Sequence, residues 1–302
     1  MSERKVAWVF PGQGAQRIGM GLVDSQDSDM AKKLFGLIDK KLGFPISKLC
    51  FEGPDEELKK TINCQPAILA VSYIYYMTHC CGLRRLKLDK PAFLAGHSLG
   101  QYTAFVISDA INLLDGVFLV RERGRLMQEA EERNPGGMAA VMNLDKNTLS
   151  MICKETGVVI SNINCPGQFV ISGPKECLGR ACELASKKGA RAIPLRTGGA
   201  FHSREMELII PGMIEVLSKV KLYKAEIPIV ANSSAKPIAR PEEIREESII
   251  QLSSAVQWQV SIEYMISEGV CTFVEIGPGD VLSGLIKRID PDVEVINIKE
   301  VW

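Results

Sequence analysis

The sequence predicts an α/β protein in which a large domain, built on a mainly parallel sheet, is interrupted by a smaller domain. Two patterns predict it. Short apolar runs, each ended by turn residues, alternate with longer amphipathic stretches, the signature of strands buried between helices. Midway, the alternation gives way to a strand–helix–strand–strand–helix–strand order that reads as a separate unit. The length of 302 residues suits one large domain carrying an insert.

Taken in order, residues 6–10 form a short apolar run ended by Pro11-Gly12, a buried strand entering a tight loop. The polar stretch 24–29 reads as a loop before a helix. Residues 65–81 carry a helical pattern. A second buried strand, 93–95, runs into Gly96-His97-Ser98-Leu99-Gly100 and then helical sequence; 114–131 is a further helix. The insert follows: strand 137–142, helix 146–155, strands 158–163 and 168–172, helix 175–188 and strand 191–195, the ferredoxin-like βαββαβ order. Pro135-Gly136-Gly137 and Thr197-Gly198-Gly199 are expected hinges, so the large domain is assigned residues 1–134 and 198–302, and the small one 135–197. A helix at 203–220, strands at 229–231 and 272–275, and a helix at 281–289 complete the large domain. A cleft between the two domains is the expected ligand site.

Composition narrows the function. Lys+Arg and Asp+Glu both number 36, so there is no basic surplus of the kind nucleic-acid binders carry, and no nucleic-acid partner is expected. No apolar run approaches the roughly 20 residues needed to span a bilayer, so no membrane association is expected. Met1 to Lys5 lead into too short an apolar stretch for a signal peptide, and the protein is expected in the cytoplasm. Nine cysteines, an odd number without a C-x-x-C pair, read as reduced thiols and not as disulfides or a zinc site. Three histidines leave little for a metal site, and none is expected.

The chemistry centres on Gly96-His97-Ser98-Leu99-Gly100. A G-x-S-x-G run between a strand and a helix is a nucleophile elbow, in which the glycines allow a sharp turn that projects the serine oxygen at a helix N-terminus. There the free N–H groups and the helix dipole favour developing negative charge. The bland reading is a Gly-rich turn. A serine nucleophile needs a base. His97 is its chain neighbour and its side chain diverges from that of the serine. His79 sits in a helical pattern and suits a core or surface role. His202, in a Gly-rich loop ahead of a helix at the domain junction, remains as the expected base.

These residues are familiar. Phe10-Pro-Gly-Gln-Gly-Ala-Gln16, the Ser98 elbow, Arg121-Glu-Arg-Gly-Arg-Leu-Met-Gln128, Ala200-Phe-His-Ser203, Val256-Gln-Trp258 and Glu275-Ile-Gly-Pro-Gly279 follow one another in the order of a known family. With these motifs the chain resembles the malonyl-CoA:acyl carrier protein transacylase family, which includes acyltransferases of polyketide synthases. The resemblance implies an α/β-hydrolase-like large domain with a ferredoxin-like insert. It also implies ping-pong transfer of a malonyl group from malonyl-CoA to an acyl carrier protein in fatty acid or polyketide synthesis. No cofactor is implied beyond the carrier's phosphopantetheine.

Carried over by residue, the resemblance makes Ser98 the acylated nucleophile and His202 its general base. A backbone carbonyl, expected at Gln257, would orient the histidine. The N–H groups of Gln13 and Leu99 would form the oxyanion hole, with Gly12 and Gly14 letting that loop approach. Arg123 would grip the malonyl carboxylate, while Arg121 and Arg125 read as solvated helix arginines. Phe201, in A-F-H, points to malonyl over methylmalonyl, its ring filling the space of an α-methyl branch; plain packing is the alternative. Gln65 and His97 complete the expected substrate-binding set; Gln65 could equally be a helix-start polar residue, and Asn164 is similarly divided. Gln101 stands where many members have glutamate, and Gly199 where polyketide domains often have histidine or tyrosine. An editing hydrolase of the same fold, a non-catalytic carrier-docking module and a generic esterase are the competing readings. Arg123, the intact nucleophile and base, and the absence of an evident carboxylate partner for the histidine weigh against them in turn.

Overall fold

The first strand, β1 (Lys5–Phe10), is buried along five of its six residues, as a strand covered on both faces must be. The computed structural model describes residues 5–81, 90–195 and 197–299. Within them lie β2 (Phe93–Gly96), β3 (Gly136–Met142), β4 (Val159–Cys165), β5 (Gln168–Pro174), β6 (Arg191–Pro194), β7 (Ile229–Val230), β8 (Pro237–Ile238), β9 (Val270–Ile276) and β10 (Glu294–Ile298). The large sheet has the order β10-β9-β1-β2-β7-β8 and is parallel except for the β7–β8 pair. The small sheet, β4-β5-β3-β6, is antiparallel throughout, the strand order of a ferredoxin-like unit. Its two helices, Lys146–Thr156 and Lys175–Lys187, bury Leu149, Ile152, Leu178 and Ala181 against it.

β1 and β2 matter most for the site. Phe10 is in register with Gly96, so the loops leaving the two strands emerge side by side at the carboxyl end of the sheet, where ligands bind in such folds. Behind them, the helix Gly100–Ile107 is buried along its whole length. Two long helices, Thr61–Tyr75 and Leu113–Arg133, cross beside it. Gly124 permits that crossing: a Cβ there would sit 2.6 Å from the Thr61 carbonyl oxygen. The neighbouring Arg123 is thereby held deep between the helices, 1% exposed.

Several elements differ from expectation. The stretch 24–29 is not a loop: Leu22–Asp27 is a short helix, and the Ser28 hydroxyl caps the next, Asp29–Leu42, by accepting from the Ala31 N–H. One of its polar groups is turned inward: Asp24 is buried 2.9 Å from Nε2 of the equally buried His79, while Gln26, Asp27 and Asp29 stay exposed. The helix expected over 65–81 starts earlier, at Thr61, and passes into a π-helical turn, Tyr76–Cys81. The helix expected over 203–220 is a 3₁₀ turn, Arg204–Ile209, followed by the α-helix Ile210–Ser218, whose first turn accommodates Pro211. β8 and β10 extend the sheet at its two edges beyond the strands read from sequence.

The insert is joined to the large domain by more than its two chain crossings. Val256 pairs with β4 as a parallel bridge: its N–H donates to Ser161 O at 2.8 Å, and the Ile163 N–H donates to Val256 O at 2.9 Å. Arg196, at the expected return crossing, and residues 1–4 of the N-terminus lie outside the described residues. All nine cysteines are free thiols and five are buried. No described helix is long and apolar enough to cross a membrane.

Candidate active site

Ser98 stands at the turn between β2 and the helix Gly100–Ile107 with φ 50°, a left-handed conformation that non-glycine residues adopt at a cost. Gly100 makes the turn possible, since a Cβ there would meet Phe10 O at 2.0 Å. The turn aims Ser98 Oγ at His202, whose Nε2 lies 2.7 Å away. His202 is also left-handed, at φ 58°. Its Nδ1 lies 2.8 Å from the backbone oxygen of Gln251. A carbonyl can only accept, so Nδ1 carries the proton and Nε2 keeps the lone pair that faces the serine hydroxyl. Burial, and then the nearby Arg123 charge, push the imidazole pKa down to about 3, so it is neutral at ordinary pH.

The orienting carbonyl is therefore that of Gln251, not of Gln257 as expected. The Gln257 carbonyl accepts instead from the Ser261 N–H and hydroxyl within its own helix start, and its N–H donates to Asn232 O. Gln251 ends the helix Pro241–Ile250, where the last carbonyls have no intrahelical partner, and one of these meets the imidazole.

Neither the Gln13 nor the Leu99 N–H donates to any group among the described residues, and both residues line the cavity beside Ser98. The Ser98 N–H, by contrast, is engaged by Asn232 Oδ1 at 2.8 Å. Two free amides from adjacent loops can thus receive an oxyanion.

Arg123 approaches from the side. Nη1 donates to Gln65 Oε1 at 2.8 Å; Nη2 donates to Gln251 Oε1 at 3.1 Å and to Ser98 Oγ at 3.3 Å. Nε has no acceptor, and no carboxylate among the described residues pairs with the guanidinium. Tyr102 offers its ring face 5.1 Å from the guanidinium carbon. A buried cation without a counter-charge is costly, and an anionic ligand would relieve that cost. Gln65 proves to be fully buried against Arg123, its amide also reaching Met127 Sδ at 3.3 Å, and so acts as a strut behind the cavity wall. Arg121 is not solvated as expected: it is half-buried over Phe44 and donates to Ile62 O and Asn63 Oδ1. Arg125 is paired on the surface with Glu122 and Glu129.

These groups open into a cavity of about 300 Å³ between the large domain and the small sheet. Met138, Ala140 and Val170 of the small sheet form one wall and Phe201 another. His97 lines the cavity too, fixed by Asn164 Oδ1 at 2.9 Å from its Nε2 and by the edge of Trp258, with ring centroids 5.6 Å apart. Asn164 thus links the insert to the elbow. At the mouth, Val281 and Leu282 belong to the helix Val281–Ile289. The buried Glu275 carboxylate secures its start by accepting from the Leu282 and Ser283 N–H groups at 3.1 and 2.8 Å.

The same chain has recognisable relatives. Residues 7–296 match the acyl transferase domain family. The malonyl CoA-acyl carrier protein transacylase of Bacillus subtilis (strain 168) is 41% identical over 98% of this chain and 94% of its own length. The chain belongs to the malonyl CoA-acyl carrier protein transacylase family. Among solved structures, the acyl-carrier-protein-S-malonyltransferase of Bartonella henselae superposes with a TM-score of 0.93 at 37% identity, covering 98% of this chain and 96% of that one. A malonyl-transacylase in complex with a type II PKS acyl-carrier protein gives the same score at 34% identity, with coverage of 98% and 96%.

Seen as a transacylase family member, an acyltransferase, the chain holds two site residues that sequence reasoning missed. Gln251 gives the histidine its acceptor and braces Arg123; Asn232 engages the elbow. Neither lies in a motif with chemistry of its own. The one available signal was that position 251 ends a helical stretch and so has a carbonyl to spare.

Proposed function

We propose that this acyltransferase carries a malonyl group from malonyl-CoA to the phosphopantetheine thiol of an acyl carrier protein, through a malonyl ester on Ser98. One observation carries the choice of acyl group. Arg123 is a buried, carboxylate-free guanidinium whose Nη2 lies 3.3 Å from Ser98 Oγ, where a three-carbon diacid unit could reach it. An acetyl group would leave that charge unpaired.

In the first half-reaction Ser98 Oγ attacks the thioester carbonyl carbon as its proton passes to His202 Nε2. The N–H groups of Gln13 and Leu99 receive the oxyanion, a contribution of about 3–4 kcal/mol per donor in comparable sites. The C–S bond breaks, His202 returns the proton to the departing CoA sulfur, and malonyl-Ser98 remains with its carboxylate on Arg123. In the second half-reaction His202 takes the proton of the carrier thiol, whose sulfur attacks the ester; serine leaves and recovers the proton. The low pKa of His202 keeps Nε2 available as acceptor in both halves. Phe201 narrows the cavity near the acyl α-carbon. The chemistry calls on no metal or redox group. The nine free thiols support a reducing compartment, the cytoplasm. The carrier serves fatty acid or polyketide synthesis, in line with the names of the relatives.

Weighing the intact protein after mixing with malonyl-, methylmalonyl- or acetyl-CoA tests this. A malonyl adduct is expected on the wild-type protein and none on Ser98→Ala. A stable malonyl adduct on that variant, or free malonate in place of malonyl-carrier as the main product once a holo acyl carrier protein is added, overturns the proposal.

A further inference from the structure

Besides their direct contacts, Ser98 and Gln251 share a brace that does not itself line the cavity. Asn232 follows β7 and is 1% exposed. Its side-chain oxygen accepts from the Ser98 N–H at 2.8 Å and from Gln251 Nε2 at 3.2 Å. Its side-chain nitrogen donates to Gly96 O at 2.7 Å. The amide therefore grips the elbow on both sides of His97, at Gly96 and at Ser98, and with the same oxygen holds the residue whose carbonyl orients His202. Gln251 Nε2 closes the loop by donating to Ser98 O at 3.0 Å.

Asn232 is itself pinned. Its N–H donates to Gln101 Oε1 at 2.7 Å, and its carbonyl accepts from the Gln257 N–H at 2.9 Å. Gln101 in turn donates to the buried Glu247 at 3.1 Å, and that carboxylate also accepts from Ser233. The chain of contacts runs from a buried carboxylate to the nucleophile without meeting solvent. It also accounts for Gln101, whose amide must accept from one neighbour and donate to the other, which an ionised carboxylate could not do.

We propose that Asn232 is a positioning residue for the acyl-transfer reaction, selecting the Leu99 N–H as the elbow's oxyanion donor and coupling the setting of Ser98 to that of His202. Two consequences follow from its bonds. With the Ser98 N–H occupied, the elbow offers the acyl oxygen one amide in place of two competing ones. With both Ser98 and Gln251 held on a single oxygen atom, the left-handed turn at Ser98 and the imidazole acceptor cannot drift apart. Leucine would satisfy none of the three bonds. Aspartate would keep the two that accept but set oxygen against the Gly96 carbonyl oxygen.

The inference rests on the Ser98–His202 chemistry proposed above but not on which acyl group is moved, so a reagent that reads serine reactivity alone can test it. Wild-type protein, Ser98→Ala, Asn232→Ala and Asn232→Asp are treated with a fluorophosphonate and the rate of the single mass increase is followed; malonyl-CoA turnover is measured alongside. Wild-type is labelled once and S98A not at all. Both Asn232 variants are expected to label roughly 10- to 100-fold more slowly, N232A, which loses all three side-chain bonds, the slower, and N232D, which loses the one to Gly96 O, the faster. Their kcat should fall by a similar factor while KM for malonyl-CoA stays within about twofold, a split that general loosening of the fold would not give. Should N232A fail to fold, N232D, which keeps the shape of asparagine, carries the test. Labelling of either folded variant within about twofold of the wild-type rate overturns the positioning role. Labelling of S98A at the wild-type rate overturns the nucleophile assignment beneath it, and the role with it.

Discussion

Replacing Arg123 by methionine keeps most of the side-chain volume and removes the charge, and its effect can be worked out in two parts. The first part is indifferent to substrate. The variant strands Gln65 Oε1 and Gln251 Oε1, which now accept from the guanidinium, and each buried acceptor left without a donor costs about 1–3 kcal/mol. Because Gln251 also orients His202, this loss slows every acyl donor alike. The second part concerns malonyl alone. Two charge-assisted hydrogen bonds to a carboxylate are worth about 1.5–3 kcal/mol each, together about 3–6 kcal/mol, or roughly 10²- to 10⁴-fold. The ratio of acylation rates for malonyl-CoA over acetyl-CoA cancels the first part and isolates the second. Rapid-quench mass spectrometry of the acyl-enzyme gives both rates. The ratio should collapse by at least about 100-fold, with acetyl transfer falling far less. A ratio within about threefold of wild-type would refute the reasoning, and the buried cation would then belong to the architecture of the helices.

Other outcomes can be measured on the same material. With the His202 pKa lowered to about 3, the acylation kcat/KM should show no histidine limb between about pH 5 and 8; in Arg123→Met the lost positive charge should move that limb upward. Linkage sets the sign of the stability effect: the unfolded chain protonates His202 below about 6.5 while the fold keeps it neutral, so this residue withdraws stability as pH falls from there toward 3, read as a falling Tm. Gly100→Ala drives a methyl group into the Phe10 carbonyl and should cost about 3 kcal/mol or more, or leave the protein insoluble; a Tm equal to wild-type would contradict the packing described. Phe201→Ala should raise acylation by methylmalonyl-CoA relative to malonyl-CoA by roughly 10- to 100-fold, and an unchanged ratio would make Phe201 a packing residue only.

Much of the fold was legible because burial writes itself into composition. β1 and β2 are buried between helices and read as short apolar runs, β9 reads as one broken only by Thr272 and Glu275, and the six elements of the insert fall within one or two residues of expectation. β10 escaped because it is an edge strand, Glu294–Ile298, only half-covered and interrupted by Asn297, whose amide serves Glu275. The helix Leu22–Asp27 escaped because its one buried polar group, Asp24, finds its partner at His79, far along the chain. At the site, Ser98 and His202 could be reached by asking which chemistry the sequence can support. The choice between Gln251 and Gln257 could not. It depends on which of two carbonyls six residues apart faces the imidazole, and that is decided by Val256, which pairs with β4 and carries Gln257 away.

That pairing at Val256 has a consequence for turnover. A domain tethered only at two chain crossings can swing about them; a third attachment restrains that swing. With the sheet of the insert stitched to the loop that follows Gln251, widening the slot would mean breaking backbone bonds a few residues from the carbonyl that holds the His202 imidazole. A slot held at that width admits two bulky bearers of the same thin pantetheine arm only in turn, the first leaving its acyl group inside and the second collecting it.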